Sequence, residues 1–253
     1  MYDILNNIFA IFVGNDTASE WMGHLYDNFI VDDRWKCLGV TLELTISSFI
    51  LGLLLGLVIA IVRVSHDKGA DTPKSRFTIG RFLINILNFI CKLYLNIIQG
   101  TPTIIQIMII YFVIMANSTN KVGVAIIGFS INSSAYIAEI IRGAINGVDK
   151  GQMEAGRSLG FGYISTMFYV VIPQALKSSL PALCNELVVL LKETAVASMV
   201  AMQDLLNAAL LIRSRTYNAF LPLIAAALIY FVVVSIIRAL SAKLERRLNS
   251  NER

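Results

Sequence analysis

Residues 39–62 read GVTLELTISSFILGLLLGLVIAIV, twenty-four positions with a single charged side chain, Glu43. A helix on the surface of a soluble protein keeps one polar face along its length, and residues 49–62 of this run, FILGLLLGLVIAIV, offer none. At 1.5 Å per residue it makes a helix of about 36 Å, enough to cross a hydrocarbon core of about 30 Å. In lipid every backbone amide and carbonyl must be bonded within the protein, which leaves helices or a closed barrel. An unbroken apolar run selects the helix. The rest of the chain agrees: 56% of its residues are hydrophobic and 15% charged, against about 45–50% and 25% in soluble domains.

Four further runs extend the pattern: 82–116, 124–141, 182–203 and 219–240. The run 82–116 is too long for one straight span and is interrupted by Gly100-Thr101-Pro102. Proline removes a helical hydrogen bond and disfavours helix in the residue before it, so a broken helix is predicted there. In the first span Gly52 and Gly56 form a small-xxx-small pair that lets a second helix approach closely. If 82–116 crosses once, fourteen lysines and arginines fall on the side of 63–81, 142–177 and the tail, against five opposite. If it crosses twice the asymmetry collapses. The positive-inside rule therefore favours five spans, with 1–38 external and 241–253 cytoplasmic. Asp3 and the lack of a basic start argue against a secretion signal, so the spans themselves are expected to direct insertion.

Several functions are disfavoured by composition. The net charge of +4 is spread over short loops rather than gathered into a nucleic-acid-binding face. Cys37, Cys91, Cys184, His24 and His66 have no metal-ligand spacing, so no metal site is expected. No span holds the Ser/His or paired-Asp arrangement of an intramembrane protease, which leaves no catalytic residue to name. No G-x-x-x-x-G-K-[ST] phosphate loop occurs. A chain that moves solute uphill must then use an ion gradient or borrow ATP hydrolysis from a partner.

The loop 149–181 reads DKGQMEAGRSLGFGYISTMFYVVIPQALKSSLP. Asp149 is placed to cap a short helix, with Gln152 three residues on as in a capping box. Gly160 stands where that helix would end in a left-handed residue, and Pro173 is expected to limit a second short helix. Glu154-Ala155-Gly156, then Gly160, then Val170-Val171-Ile172-Pro173 resembles the EAA signature of permeases in binding-protein-dependent ABC importers. Gly100-Thr101-Pro102 with Gln106, INSSAYIAEIIRGAINGVDKGQMEAGRSLG, IPQAL, LPALCNE and LLKETAVAS resemble the polar amino-acid branch of that family. The resemblance runs from about Thr41 to Arg238. It implies an all-α membrane protein of type I importer fold, with Glu154, Ala155, Gly156 and Gly160 in a coupling helix that docks on a cytoplasmic ATPase. It also implies a pair of ATP-binding subunits carrying the ATP, a second permease chain, an external solute-binding protein and an amino-acid substrate, in a bacterial plasma membrane. Three positions depart from the pattern: Gly156 replaces alanine, Gln99 stands where many relatives have arginine, and Glu193 replaces the more frequent aspartate.

Polar side chains inside spans are costly and become candidates for lining a path. At 100° per residue Asn132, Tyr136 and Glu139 share a face of the third span. On the fourth, Asn185 and Lys192 align, with Glu186 and Glu193 beside them. The candidate substrate-binding set is Glu193, Asn132, Gln106, Thr101 and Asn185. The competing reading is structural: Lys192 neutralises a neighbouring carboxylate, or the polar groups join helices. The rival function is an ion-coupled secondary carrier, which predicts broken helices in matching halves; the sequence has one clear break and no internal repeat.

Overall fold

The computed structural model describes residues 36–69, 79–200 and 202–249. The N-terminal segment expected outside, the middle of the loop 63–81 and the end of the tail lie outside the described residues. Nine α-helices make up the described chain: α1 (Lys36–Gly69), α2 (Ile79–Gly100), α3 (Thr103–Ile109), α4 (Lys121–Gly147), α5 (Lys150–Ser158), α6 (Tyr163–Thr166), α7 (Ile172–Glu193), α8 (Leu205–Thr216) and α9 (Phe220–Asn249). Four of them, α1, α2, α4 and α9, are long and apolar enough to span a bilayer. A bent pair, Tyr163–Val200 with Leu205–Thr216, turns by 48° at its break; by length and composition the described residues hold four spans, or five where this pair is counted as one.

The long helices overrun the apolar stretches that announced them. Charges were expected to end α1 at residue 62 and α4 at 141, yet both helices continue because those charges find partners across the bundle. Arg63, 8% exposed, donates from Nη1 to Asn88 Oδ1 at 3.0 Å on α2 and lies 3.8 Å from Glu139. Arg142 donates to Glu139 Oε2 at 2.8 Å from Nη2 and at 3.1 Å from Nε, and to Asp67 Oδ2 at 3.1 Å. These bonds tie α1, α2 and α4 together at the end from which α5 departs. Nearer the middle, α1 lies against α4 through the predicted glycine pair. A Cβ at Gly56 would meet Ile137 Cγ2 at 2.8 Å and Ser134 O at 2.9 Å.

The break at Pro102 forms as expected, with Pro102 in extended conformation between α2 and α3. Beyond α3 the chain widens into a π-helical turn at Ile110–Ile114. Pro173 departs from expectation. It stands in the first turn of α7, directly after a turn of wider hydrogen-bonding register, so the amide it lacks falls where the helical bonding pattern changes. A π-helical turn at Met167–Val171 carries the chain from α6 into α7, so the proline opens a helix instead of limiting one. The fourth span was expected to end at 203. Instead α7 stops at Glu193, a 3₁₀ stretch follows at Thr194–Val200, and a further helix, α8, begins after the buried Asp204, whose carboxylate accepts from Leu206 N and Asn207 N at 3.2 and 3.1 Å.

Candidate functional site: a helix-turn-helix at one end of the bundle and a polar core

α5 is polar, and two caps define it. Asp149 Oδ1 accepts from Gly151 N at 2.6 Å. The second half of a capping box is not made: Gln152 Oε1 instead accepts from Gln174 Nε2 at 3.1 Å, fastening α5 to α7. At the other end Gly160 has φ +89°. Its amide donates to Arg157 O at 3.0 Å, and the Phe161 amide donates to Gly156 O at 3.2 Å. This is the paired closure of a helix on a left-handed glycine, as the sequence predicts. Gly156 has a second role. A Cβ there would lie 2.5 Å from Thr166 Cγ2, so the departure from alanine lets α6 lie directly on α5. Glu154 and Ala155 are exposed, and around them Leu159 and Ile164 are each 79% exposed. Glu154, Ala155 and Leu159, outside the candidate spans, together with Ile164 at the very start of one, form a surface suited to docking. Between α5 and the ends of α1 and α4 lies a cavity of about 210 Å³ lined by Lys68, Asp149, Lys150, Glu154 and Arg157, among others.

Asn132 and Gln106, both buried, come together with the exposed Thr101 at the helix break. Asn132 Nδ2 donates to Gln106 Oε1 at 2.9 Å and to Thr103 Oγ1 at 3.3 Å. Gln106 Nε2 donates to Ile98 O at 2.7 Å, Thr101 O at 3.0 Å and Thr101 Oγ1 at 2.6 Å. Two of these acceptors are carbonyls released where α2 breaks. In lipid an unpaired carbonyl is expensive, and Gln106 supplies the missing donor. Glu193 and Asn185 lie apart from these, on α7. Asn185 is exposed on α7, and Glu193 is half-buried in its last turn, beside an exposed Lys192. Lys192 interacts electrostatically with Glu193.

Of the two carboxylates on this part of α7, the more firmly placed is Glu186, which the candidate set omits. It is buried and accepts from Ser133 Oγ of α4 at 3.1 Å. Seven residues before Glu193, it falls on nearly the same helix face. Tyr136 of α4, one turn beyond Asn132, thus stands within electrostatic reach of both acids of α7, and the i, i+7 spacing of Glu186 and Glu193 is the sequence signal that would have joined them. Glu139, by contrast, turns away into the arginine network at the α5 end.

Residues 78–250 match the profile of the binding-protein-dependent transport system inner membrane component family. The chain belongs to this family. The permease is 36% identical over 218 residues to the arginine transport system permease protein ArtQ of Bacillus subtilis strain 168, covering 85% of this chain and 92% of that one. It is 34% identical over 215 residues to a glutamine transport system permease protein GlnP, itself a provisional assignment, of Rickettsia typhi, covering 84% and 91%. Among solved structures it is similar to an amino acid ABC transporter crystallised with histidines, at TM-score 0.74 and 35% identity, with 91% of this chain and 97% of that one covered.

These likenesses favour the ABC importer over the ion-coupled carrier. The permease is a multi-pass transporter component of type I importer fold, not an enzyme. The family implies an ATPase and a substrate-binding protein as partners. The resemblance read from EAG, Gly160 and Gly-Thr-Pro pointed to this family.

Proposed function

We propose that the permease forms the substrate path of an ATP-driven amino-acid importer and couples it to a cytoplasmic ATPase through α5. The observation that carries this reading is the closed α5–Gly160–α6 unit. It is rigidly capped at both ends, packed without a gap at Gly156, and presents Glu154, Ala155, Leu159 and Ile164 outward. In the proposed assembly α5 faces the cytoplasm of a bacterial inner membrane and docks on one of two ATP-binding subunits. A second permease chain, the same or similar, completes the path, and a solute-binding protein delivers from outside. ATP binding draws the two ATPases together and moves both coupling helices; hydrolysis resets them.

The path is proposed to meet its solute where Glu186 and Glu193 of α7 face α4. Glu193 and Glu186 favour an amino acid with a cationic group, because a carboxylate held inside a membrane is costly without a positive partner. Asn185 extends the lining along α7. Asn132, Gln106 and Thr101 stand one turn away along α4 and at the break; in the proposed cycle the two amides exchange their mutual bond for the solute's α-carboxylate. Glu193→Gln tests the assignment in reconstituted vesicles with saturating binding protein. Uptake of a cationic amino acid is expected to fall more than tenfold and that of a neutral one less. Equal, normal rates for both would remove Glu193 from the site.

A further inference from the structure

The last two turns of α9 carry a feature that the transport reading does not use. Lys243, Arg246 and Arg247 line, with Ala239 and Ala242, an open notch of about 570 Å³. At 100° per residue these five positions fall within about 140° of one another, so they share one face. The two alanines form a floor and the three cations a wall. Like charges three residues apart work against a helix, and here Lys243 has Arg246 at that spacing. An anion seated over the alanines would relieve that repulsion.

The same strip of surface continues towards the membrane. Leu228, Val232 and Ile236 lie on it, each more than half exposed. From Phe220 to Leu240 the helix rises about 30 Å, the thickness of the hydrocarbon core. Lys243, Arg246 and Arg247 come about 5–10 Å further on, at the depth of the headgroups. An apolar track that ends in a cationic notch at headgroup depth fits a molecule with the same order of parts: an acyl chain, then a phosphate.

We infer that the C-terminal end of α9 is a binding site for one anionic phospholipid. Its phosphate sits over Ala239 and Ala242 among Lys243, Arg246 and Arg247, and an acyl chain runs along Ile236, Val232 and Leu228. Cations at this end also set topology, but topology requires neither their gathering on one face nor the small floor beneath them. The inference stands independently of the proposed substrate.

The test uses the full chain purified with its ATPase and delipidated in detergent. Phosphatidylglycerol, phosphatidylcholine or inorganic phosphate is added, and the thermal midpoint is followed. Phosphatidylglycerol at about a hundredfold excess over Kd is expected to raise the midpoint by roughly 5–10 °C, and the other two to leave it unchanged. Ala239→Leu with Ala242→Leu fills the notch while keeping every charge, and is expected to abolish the shift. So is the triple change K243Q/R246Q/R247Q. No shift in the wild type, a shift that survives the two leucines, or an equal shift with inorganic phosphate would overturn the inference. Loss of the ATPase from the purified triple variant would also overturn it, by marking this face as a protein contact.

Discussion

Gly156→Ala is expected to destabilise the permease, although alanine is the better helix former and the residue usual in the family motif. In the interior of an exposed helix the exchange favours folding by about 1 kcal/mol. Here the new methyl would sit 2.5 Å from Thr166 Cγ2, 3.1 Å from its Oγ1 and 3.4 Å from its Cβ. All three atoms belong to one fully buried, β-branched side chain whose hydroxyl donates to Gly162 O at 3.0 Å. Rotating Thr166 would give up that bond, and moving α6 off α5 would open the packing. Overpacking of this kind costs about 1–3 kcal/mol, so the net effect runs from near zero to about 2 kcal/mol against folding. Thr166→Ser removes the offending methyl and keeps the hydroxyl. Adding Gly156→Ala to Thr166→Ser should then recover the propensity gain, giving a coupling of at least about 1 kcal/mol between the two changes. Thermal unfolding of the four purified proteins, with retention of the ATPase scored alongside, measures it. If Gly156→Ala alone raises the midpoint and the two changes simply add, the close approach of α5 and α6 is wrong.

Gln106→Leu should leave Ile98 O, Thr101 O and the Asn132 amide short of a partner, each at about 1–3 kcal/mol when buried; a lower unfolding midpoint together with easier cleavage near Thr101 is expected, and an unchanged midpoint would show that the helix break holds itself. Orientation can be read with single cysteines on a background lacking Cys37, Cys91 and Cys184. An impermeant reagent applied from outside should label position 17 and miss position 75, and the opposite pattern would invert the topology.

The parts of the fold legible in the sequence are those dictated by one residue's own backbone chemistry or by unbroken hydropathy. Pro102, following Gly100-Thr101, breaks the helix as its missing amide predicts, and Gly160 takes the left-handed turn because side chains resist it. Gly52 and Gly56 signalled a close helix partner without naming it. What was not legible depends on residues far apart in the chain. Arg142 reads as a loop charge until Asp67, 75 positions earlier, is seen to receive it. Gln106 and Asn132 read as path-lining amides, and only the structure shows that they bond each other across 26 positions. α8 escaped because it is short and begins after an irregular stretch; Asp204, an acid among apolar residues, was its one start signal. Glu186 was visible but was set beside Glu193 as a neighbour rather than as its partner two turns away.

The most direct test of the account measures what drives uptake. Vesicles would hold the permease purified with its ATPase, with ATP on the α5 side and the solute-binding protein with a cationic amino acid on the other. No ion gradient is imposed. The account predicts uptake that requires both ATP and the binding protein. It also predicts that Gly160→Val abolishes this uptake, because valine at φ +89° is strained by about 1–3 kcal/mol and the turn to α6 reopens. Uptake that runs on an ion gradient with the ATPase removed, or that survives Gly160→Val at the wild-type rate, would contradict it.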